Sequence, residues 1–309
     1  MVMDPNAPAT FYCIVEKKGV YKTTDGGVTW NPSSNGILAP YQIWDIAISS
    51  SSPPTLLVSA NHTVFRSVNG GESWNPAAEI DPGIINVFAF APDQPSTVYA
   101  GSYDSGVYKS VDEGVHWRAV NHGLVSGKLA YPDIYALGVD PSDASTVYAG
   151  GEFGVYKTTD GGFDWKEINE GLASPLGSAR DPSPVGVRSF GINPAAPATV
   201  YMGGFSMGVF RSADSGENWS SISSSRSSLW MNSPVTAIRF DPLASNIIYE
   251  GTLGAGVLVS LDGGDHWSEM NDGLSNLRVV GLMVNPQDSS MLYAATYGGG
   301  FFIFSRNAG

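Results

Sequence analysis

Apolar residues in this chain come in short runs that alternate with small or polar positions, and each run stops before a helical period can build. In residues 85–117, INVFAFAPDQPSTVYAGSYDSGVYKSVDEGVHW, three such runs are INVFAF, TVYAG and GVYKS, and Trp117 opens a fourth, WRAV. Clusters of Pro, Asp, Ser and Gly lie between them. β-Branched and aromatic runs bounded by turn residues predict strands, here labelled a to d, and no stretch sustains a useful helical period. In the a strands, large residues repeat at every second position: Ile46/Ile48, Phe88/Phe90, Leu137/Val139, Phe190/Ile192, Ile238/Phe240 and Leu282/Val284. The residue between is often small, as at Ala47, Ala89, Gly138 and Gly191. Successive side chains of a strand point to opposite faces. Bulk on one face and little on the other predicts a sheet packed closely between two neighbours.

The four-strand unit recurs. GVYKTTDGGVTW (19–30) returns as TVFRSVNGGESW (63–74), GVYKSVDEGVHW (106–117), GVYKTTDGGFDW (154–165), GVFRSADSGENW (208–219) and GVLVSLDGGDHW (256–267). The closing tryptophans, Trp30, Trp74, Trp117, Trp165, Trp219 and Trp267, are spaced by 44, 43, 48, 54 and 48 residues. A period in this range denotes a repeat architecture. Seven b strands and seven c strands are present, the last c strand being GFFIFS (300–305). The reading is an all-β chain, a seven-bladed β-propeller of four-stranded antiparallel blades, forming a single domain over 1–309. The blade repeats fall roughly at 1–37, 38–80, 81–124, 125–172, 173–227, 228–274 and 275–309. The first blade has a shortened strand a. The last is incomplete: SRNAG (305–309) reads as a degenerate form of the repeated turn, with no strand d after it. An open blade edge is a pairing hazard, which makes self-association there an expected interaction.

The repeated segment, Ser/Thr-x-Asp/Asn-x-Gly-x-x-Trp, falls at the turn between strands c and d. An Asp or Asn side chain accepts backbone hydrogen bonds within a turn, Gly takes the positive φ the hairpin needs, and Trp buries its ring at the start of strand d. Asp25, Asn69, Asp112, Asp160, Asp214 and Asp262 are therefore expected to be turn staples. Asn69 argues for this directly, because an amide serves a turn as well as a carboxylate but cannot serve acid–base chemistry.

Composition narrows the function. The net charge is −13 without a basic patch, which disfavours nucleic acid and anionic membranes. No apolar run approaches the ~20 residues of a membrane span. Cys13 stands alone in a strand-like run and is expected to be a buried thiol. His62, His116, His122 and His266 follow no metal-ligand spacing, and neither a nucleophile elbow nor a nucleotide fingerprint occurs. No metal and no cofactor are expected. The first residues, MVMDP, are no signal peptide. With a leader removed, the expected location is extracellular, periplasmic or cell-surface.

The boxes, with VYAG before the c strand and NHGL, NEGL and NDGL after Trp117, Trp165 and Trp267, resemble the Asp-box of the bacterial neuraminidase repeat (BNR) family across nearly the whole chain. The resemblance implies a propeller. It spans sialidases, xyloglucan hydrolases, sortilin-type receptors and photosystem II assembly factors resembling Ycf48, and so leaves function open. A sialidase implies an arginine triad and an Arg-Ile-Pro segment, which is absent; Arg66 and Arg211 sit at c-strand positions shared with Lys22, Lys109 and Lys157. A xyloglucan hydrolase implies two carboxylates, for which Asp104 and Glu152, on b–c loops of successive blades, are the best pair.

The boxes take one face of a propeller, and the longer b–c and d–a loops take the other, where binding is expected. Trp44, Tyr103, Tyr135, Glu152, Phe153, Arg188, Phe205, Trp230 and Tyr297 are the candidate ligand-binding residues on that upper face. Aromatic rings suit a sugar or a protein loop. The function expected is a non-catalytic, secreted or surface-exposed scaffold for protein or polysaccharide, with glycoside hydrolysis through Asp104 and Glu152 as the alternative.

Overall fold

The computed structural model describes the chain except residues 38, 40–41, 61, 78–82, 126–130, 152–153, 173–185, 206, 223–229, 231–232 and 307–309. The elements named among the described residues are strands, in seven sheets. The first sheet holds β1 (Val2–Met3), β2 (Phe11–Val15), β3 (Gly19–Thr23) and β4 (Asn31–Pro32); the second β5 (Ile43–Ile48), β6 (Leu56–Ala60), β7 (Thr63–Ser67) and β8 (Asn75–Pro76). The third holds β9 (Ile85–Phe90), β10 (Val98–Ser102), β11 (Val107–Ser110) and β12 (Arg118–Ala119); the fourth β13 (Ile134–Asp140), β14 (Asp143–Gly151), β15 (Val155–Thr158) and β16 (Lys166–Glu167). The fifth comprises β17 (Val187–Ile192), β18 (Val200–Gly204), β19 (Val209–Ser212) and β20 (Ser220–Ser221); the sixth β21 (Val235–Phe240), β22 (Ile248–Thr252), β23 (Val257–Ser260) and β24 (Ser268–Glu269). The seventh has three strands, β25 (Val279–Val284), β26 (Met291–Thr296) and β27 (Gly300–Ser305). Neighbouring strands follow in chain order and run antiparallel. The fold is a seven-bladed β-propeller; among the described residues the first strand is short, as the pattern predicts, and the seventh sheet has three strands.

The chain separates into two compact units, residues 1–149 with 157–166, and residues 150–156 with 167–309. In each, the core lies between consecutive sheets. In the first unit Tyr12, Val20 and Ile37 of blade one close on Ile46, Leu56, Val58 and Trp74 of blade two. In the second unit Tyr201, Val209 and Ile222 of blade five close on Val235, Ile238 and Ile248 of blade six. The small positions of strand a permit this approach: a Cβ added to Gly191 would stand 2.5 Å from the Ile238 methyl.

The pattern misjudges two positions. Cys13 is half-buried, not buried, although desolvation still pushes its thiol up. The SRNAG segment is out of register with the boxes. Tyr99 pairs with Lys109, and Ser110 follows as the box hydroxyl; Tyr293 pairs with Ile303, so Phe304 takes the hydroxyl's place. Asn307, Ala308 and Gly309 lie outside the described residues.

Arg306 provides a different fastening. Its N–H donates to the Ser290 carbonyl at 2.7 Å, as Gly263 N–H donates to Asn246 at 2.8 Å one blade earlier. Its guanidinium donates to the Tyr249 hydroxyl at 2.8 Å and stands 3.0 Å from the fully buried Asp241 Oδ2. That second contact is an ion pair and not an aligned hydrogen bond. Asp241 Oδ1 already accepts from the Leu243 and Ala244 N–H groups.

Candidate functional site

The boxes come first, because they contain most of the chain's apparent chemistry. In blade one the Thr23 hydroxyl donates to Asp25 Oδ1 at 2.7 Å and accepts from Gly27 N–H at 3.0 Å. Asp25 also accepts from Thr29, through its N–H at 2.9 Å and its hydroxyl at 2.5 Å. Asn69 reproduces the pattern: its Oδ1 accepts from Ser67 and from Ser73 N–H, and its amide donates to the Ser73 hydroxyl. Hydrogen bonds to the charged form stabilise it. The Thr23 and Thr29 donors hold Asp25 down at about 2, and Asn218 and Ser212 do the same for Asp214. Asp112 and Asp262 also fall to about 2 through their His116 and His266 contacts, against some desolvation at Asp112. A carboxylate held this acidic and this fully engaged is a staple, not a proton donor at neutral pH.

The box also receives the preceding blade. The carbonyl after the Asp/Asn accepts from the c-strand cation one blade earlier: Lys22 to Gly70 at 2.8 Å, Arg66 to Glu113 at 2.9 Å, Lys109 to Gly161 at 3.2 Å and Arg211 to Gly263 at 3.0 Å. The expectation that Arg66 and Arg211 are framework holds. In blade six Val259 stands at the cation's register position, and Arg306 supplies the charge from blade seven instead.

The tryptophans divide into two sets, which the repeat pattern does not foretell. Trp30, Trp117 and Trp267 donate to the glycine carbonyl of their own box, Gly27, Gly114 and Gly264, at 2.9–3.1 Å. Trp74, Trp165 and Trp219 are buried and donate across to the preceding blade, to Ser33, Val120 and Ile168, at 2.7–2.9 Å. The signal is in the preceding blade's tail. Asn35-Gly36-Ile37, Asn121-His122-Gly123-Leu124 and Asn169-Glu170-Gly171-Leu172 precede the crossing tryptophans. The glycine lets the next tryptophan's backbone pass so close that a Cβ would overlap its carbonyl oxygen.

On the upper face the residues sort by what already holds them. In five blades the ladder slips at the start of strand a, between Ile43 and Asp45, at Ser102 opposite Ile85, between Val187 and Ser189, between Val235 and Ala237, and between Val279 and Gly281. Such bulges re-aim a side chain. Two of the skipped residues tie to the next blade: Asn86 donates to the Ile134 carbonyl at 3.1 Å and Thr236 to that of Val279 at 2.8 Å. Trp44, Arg188 and Val280 are instead exposed. In the b–c loops the matching positions are Tyr103, Phe205, Leu253 and Tyr297. Each fixes its N–H to the chain ahead of strand a, on Ile84, Gly186, Pro234 and Arg278 at 2.8–2.9 Å. Trp44, Tyr103, Phe205 and Tyr297 are 51%, 48%, 50% and 49% exposed, the last three on anchored backbones. Within the second unit, Arg188 stacks over Phe205 at 5.4 Å and Arg278 over Tyr297 at 4.7 Å.

The described carboxylates of this face hold loops. Asp45 accepts from Phe88 N–H at 2.7 Å. Asp133, buried, accepts from Asp104 N–H at 2.8 Å and from the Tyr135 hydroxyl at 3.1 Å. This fixes Tyr135 half-buried, and Asp104 takes a left-handed φ of 64° with its carboxylate on the Ser105 hydroxyl. Trp230 stands apart from the inner strands, its indole donating to Glu269 on the outer strand β24 at 3.1 Å. Glu152 and Phe153 lie outside the described residues.

The sequence matches no family model and no curated protein. Solved structures do resemble it. The GH74 xyloglucanase of Xanthomonas campestris superposes with a TM-score of 0.74 at 16% identity, over 99% of this chain and 51% of that one. A structure of YCF48 bound to D1 peptide gives 0.65 at 16%, over 96% and 88%. The extracellular domain of the putative hybrid two-component system BT4673 from B. thetaiotaomicron gives 0.72 at 13%, over 98% and 37%. The chain spans about half the length of the xyloglucanases it matches. At these identities the likeness establishes the propeller fold.

Proposed function

We propose that this chain is a non-catalytic binding propeller, exposed outside the cell or at its surface, that holds a protein segment or glycan on its upper face. The observation that carries the reading is a half-exposed ring at the matching b–c position on a backbone pinned by a hydrogen bond, Tyr103 in the first unit and Phe205 and Tyr297 in the second, with Trp44 half-exposed on β5. Large amphipathic or apolar rings on a rigid frame are the residues that anchor interfaces and stack on sugars. Arg188 and Arg278, stacked on two of them, add positive charge to an otherwise acidic chain, which suits a carboxylate-bearing ligand. The neighbours support both ligand classes, one being described as bound to a peptide and another as a xyloglucanase. Glu152, Phe153 and Tyr135 belong to the same proposed face, with Trp230 at its periphery.

The test is a screen of peptide and polysaccharide libraries against the purified chain, followed by alanine at Trp44, Tyr103, Phe205 and Tyr297. Truncation of an anchor is expected to weaken binding tenfold or more, with the melting temperature unchanged. Ligand binding that survives all four substitutions would sink the reading. Release of sugar product, abolished by Asp104→Asn or Glu152→Gln, would establish the hydrolase instead.

A further inference from the structure

Asparagine is followed by glycine twice in this chain, at Asn35-Gly36 and Asn69-Gly70. Such a pair has a chemistry of its own. The backbone nitrogen of the glycine can attack the side-chain amide carbon of the asparagine, and a glycine has no Cβ to crowd the approach. The two pairs belong to adjoining blades, and the structure holds them in opposite ways.

Asn69 is the acceptor of its box. Its Oδ1 accepts from the Ser67 hydroxyl at 2.8 Å and from Ser73 N–H at 3.1 Å, and its amide donates to the Ser73 hydroxyl at 2.9 Å. Gly70 is held as well, its carbonyl accepting from Lys22 at 2.8 Å and from the Tyr12 hydroxyl at 3.0 Å. Closing a ring between Gly70 N and Asn69 Cγ breaks the three side-chain bonds and turns a glycine that blade one fixes in place.

Asn35 has no such duty. Trp74, Trp165 and Trp219 each enter a frame in the tail of the preceding blade, and their backbone N–H groups donate to Asn35, His122 and Glu170 at 2.8–2.9 Å. The frame uses only the main-chain carbonyl of that residue, so three different side chains serve there. The side-chain acceptor is the residue before it. The Ser34 hydroxyl takes Val20 N–H at 2.8 Å, as Asn121 takes Val107 N–H at 2.7 Å and Asn169 takes Val155 N–H at 2.8 Å. Asn35 is exposed, and among the described residues its side chain makes one hydrogen bond, to the Glu72 carbonyl at 3.4 Å. That length is beyond the usual range for an amide donor. Among the described residues Gly36 N–H, the attacking group, is donated to no acceptor.

We propose that Asn35 is a site of spontaneous deamidation in the folded chain, and that the box protects Asn69 although its sequence is the same. Gly36 N attacks Asn35 Cγ. The N–Cγ bond forms, the Cγ–Nδ2 bond breaks, and ammonia leaves with the proton of the Gly36 amide. Water then opens the cyclic imide at either carbonyl. Opening at Cγ gives aspartate in an unaltered main chain, which keeps the carbonyl that Trp74 uses. Opening at the main-chain carbonyl gives isoaspartate. The chain to Gly36 then runs through Cβ and Cγ, and the former main-chain carbonyl becomes a free carboxylate. That product adds a methylene to a turn that Ile37 N–H closes on the Ser34 carbonyl at 2.9 Å. The Trp74 carbonyl oxygen lies so near that even a Cβ on Gly36 would overlap it. A longer chain does not fit there, and the isoaspartate product releases Trp74 from its frame.

The test incubates the purified full chain in heavy-oxygen water at mildly alkaline pH. Peptide mapping by mass spectrometry follows, with electron-transfer fragmentation to tell aspartate from isoaspartate. In the folded chain Asn35 is expected to exchange its amide nitrogen for solvent oxygen at least tenfold faster than Asn69. In urea the two are expected to react at similar rates, because only the fold distinguishes them. Both rates are read on the unsubstituted chain, so the folding of a variant does not bear on the comparison. Asn35→Gln, whose longer side chain closes the ring far more slowly, is expected to abolish the reaction at that position and leave Asn69 as it was. The isoaspartate form, separated by chromatography, is expected to show faster hydrogen exchange at Trp74 and in 34–37, and Asn35→Asp to exchange like the unmodified chain. Asn69 reacting as fast as Asn35 in the folded chain, the same ratio of rates in urea, or unchanged exchange in the isoaspartate form overturns the proposal.

Discussion

Gly123→Ala and Gly273→Ala form a matched pair that tests the tryptophan frames. Both glycines occupy the third position of Asn-x-Gly-Leu, at φ +87° and +82°. A left-handed alanine costs about 1–2 kcal/mol at either site. At Gly123 there is a second effect. The new Cβ would overlap the Trp165 carbonyl oxygen, and because that atom is backbone it cannot rotate aside. The start of strand d must retreat, which breaks the Trp165 N–H bond to His122 at 2.9 Å and the indole bond to Val120 at 2.7 Å. Each is worth about 1 kcal/mol. The ring, now 2% exposed, loses part of its burial, for about 1 kcal/mol more. Gly123→Ala should therefore destabilise by about 4–5 kcal/mol and Gly273→Ala by about 1–2 kcal/mol. Urea unfolding followed by tryptophan emission and by far-ultraviolet circular dichroism measures both, and the emission of folded Gly123→Ala should shift to the red. Equal midpoint losses in the two variants would refute the argument, since φ alone would then explain both.

Three other outcomes follow from the same contacts. Arg306→Met leaves the buried Asp241 carboxylate without its cation and should cost about 3 kcal/mol; a double-mutant cycle with Asp241→Asn should show a coupling above about 1 kcal/mol, and additive losses would show that the pair is inert. Tyr99→Phe removes the donor to the Ala144 carbonyl at 2.8 Å in a fully buried site and should cost about 1–2 kcal/mol in urea unfolding. The box aspartates set the acid limit. Asp25, Asp112, Asp214 and Asp262 sit at about 2 in the folded chain, below their ordinary 3.8. Their folded-state values are depressed, so their contribution is complete above about pH 4 and is lost as pH falls through about 2. The melting temperature should drop across that window. Asp25→Asn should leave it unchanged at pH 7, as Asn69 serves its own turn, and should flatten the acid drop; an unchanged acid drop would disprove the assignment.

Most of the fold is legible because it is written in period-two apolar runs and in a turn whose residue types admit few other uses. The six boxes can be located from Asp, Gly and Trp alone. What the pattern leaves out is relational. Nothing within GVYKSVDEGVHW says that Trp117 turns back to its own Gly114, while Trp165 in the nearly identical GVYKTTDGGFDW crosses to Val120. The deciding residue lies some 40 positions upstream, in the presence or absence of the glycine that follows the preceding tryptophan by six (Gly36, Gly123, Gly171), and becomes readable only when each box is paired with the tail before it. SRNAG misleads for the opposite reason: its letters fit the box, but Tyr293 sets a register one residue away. The cation exchanged between Val259 and Arg306 is likewise invisible until two blades are seen in contact.

The upper face is harder to read from sequence, because aromatic residues there look alike whether they cover a blade or wait for a ligand. The structure separates them by engagement. Asn86, Thr236, Asp45 and Asp133 are used by the framework, and Tyr135 is held on Asp133. Tyr103, Phe205 and Tyr297 keep half their surface in water although their loops are pinned, as does Trp44 on β5. Leaving large rings exposed on rigid backbones adds nothing to folding, since exposed apolar area is not removed from water. It does favour association, because a side chain already held in place loses little freedom when a ligand covers it. At Tyr103, Phe205 and Tyr297, hydrogen bonds inside the repeat fix residues that the repeat leaves half covered.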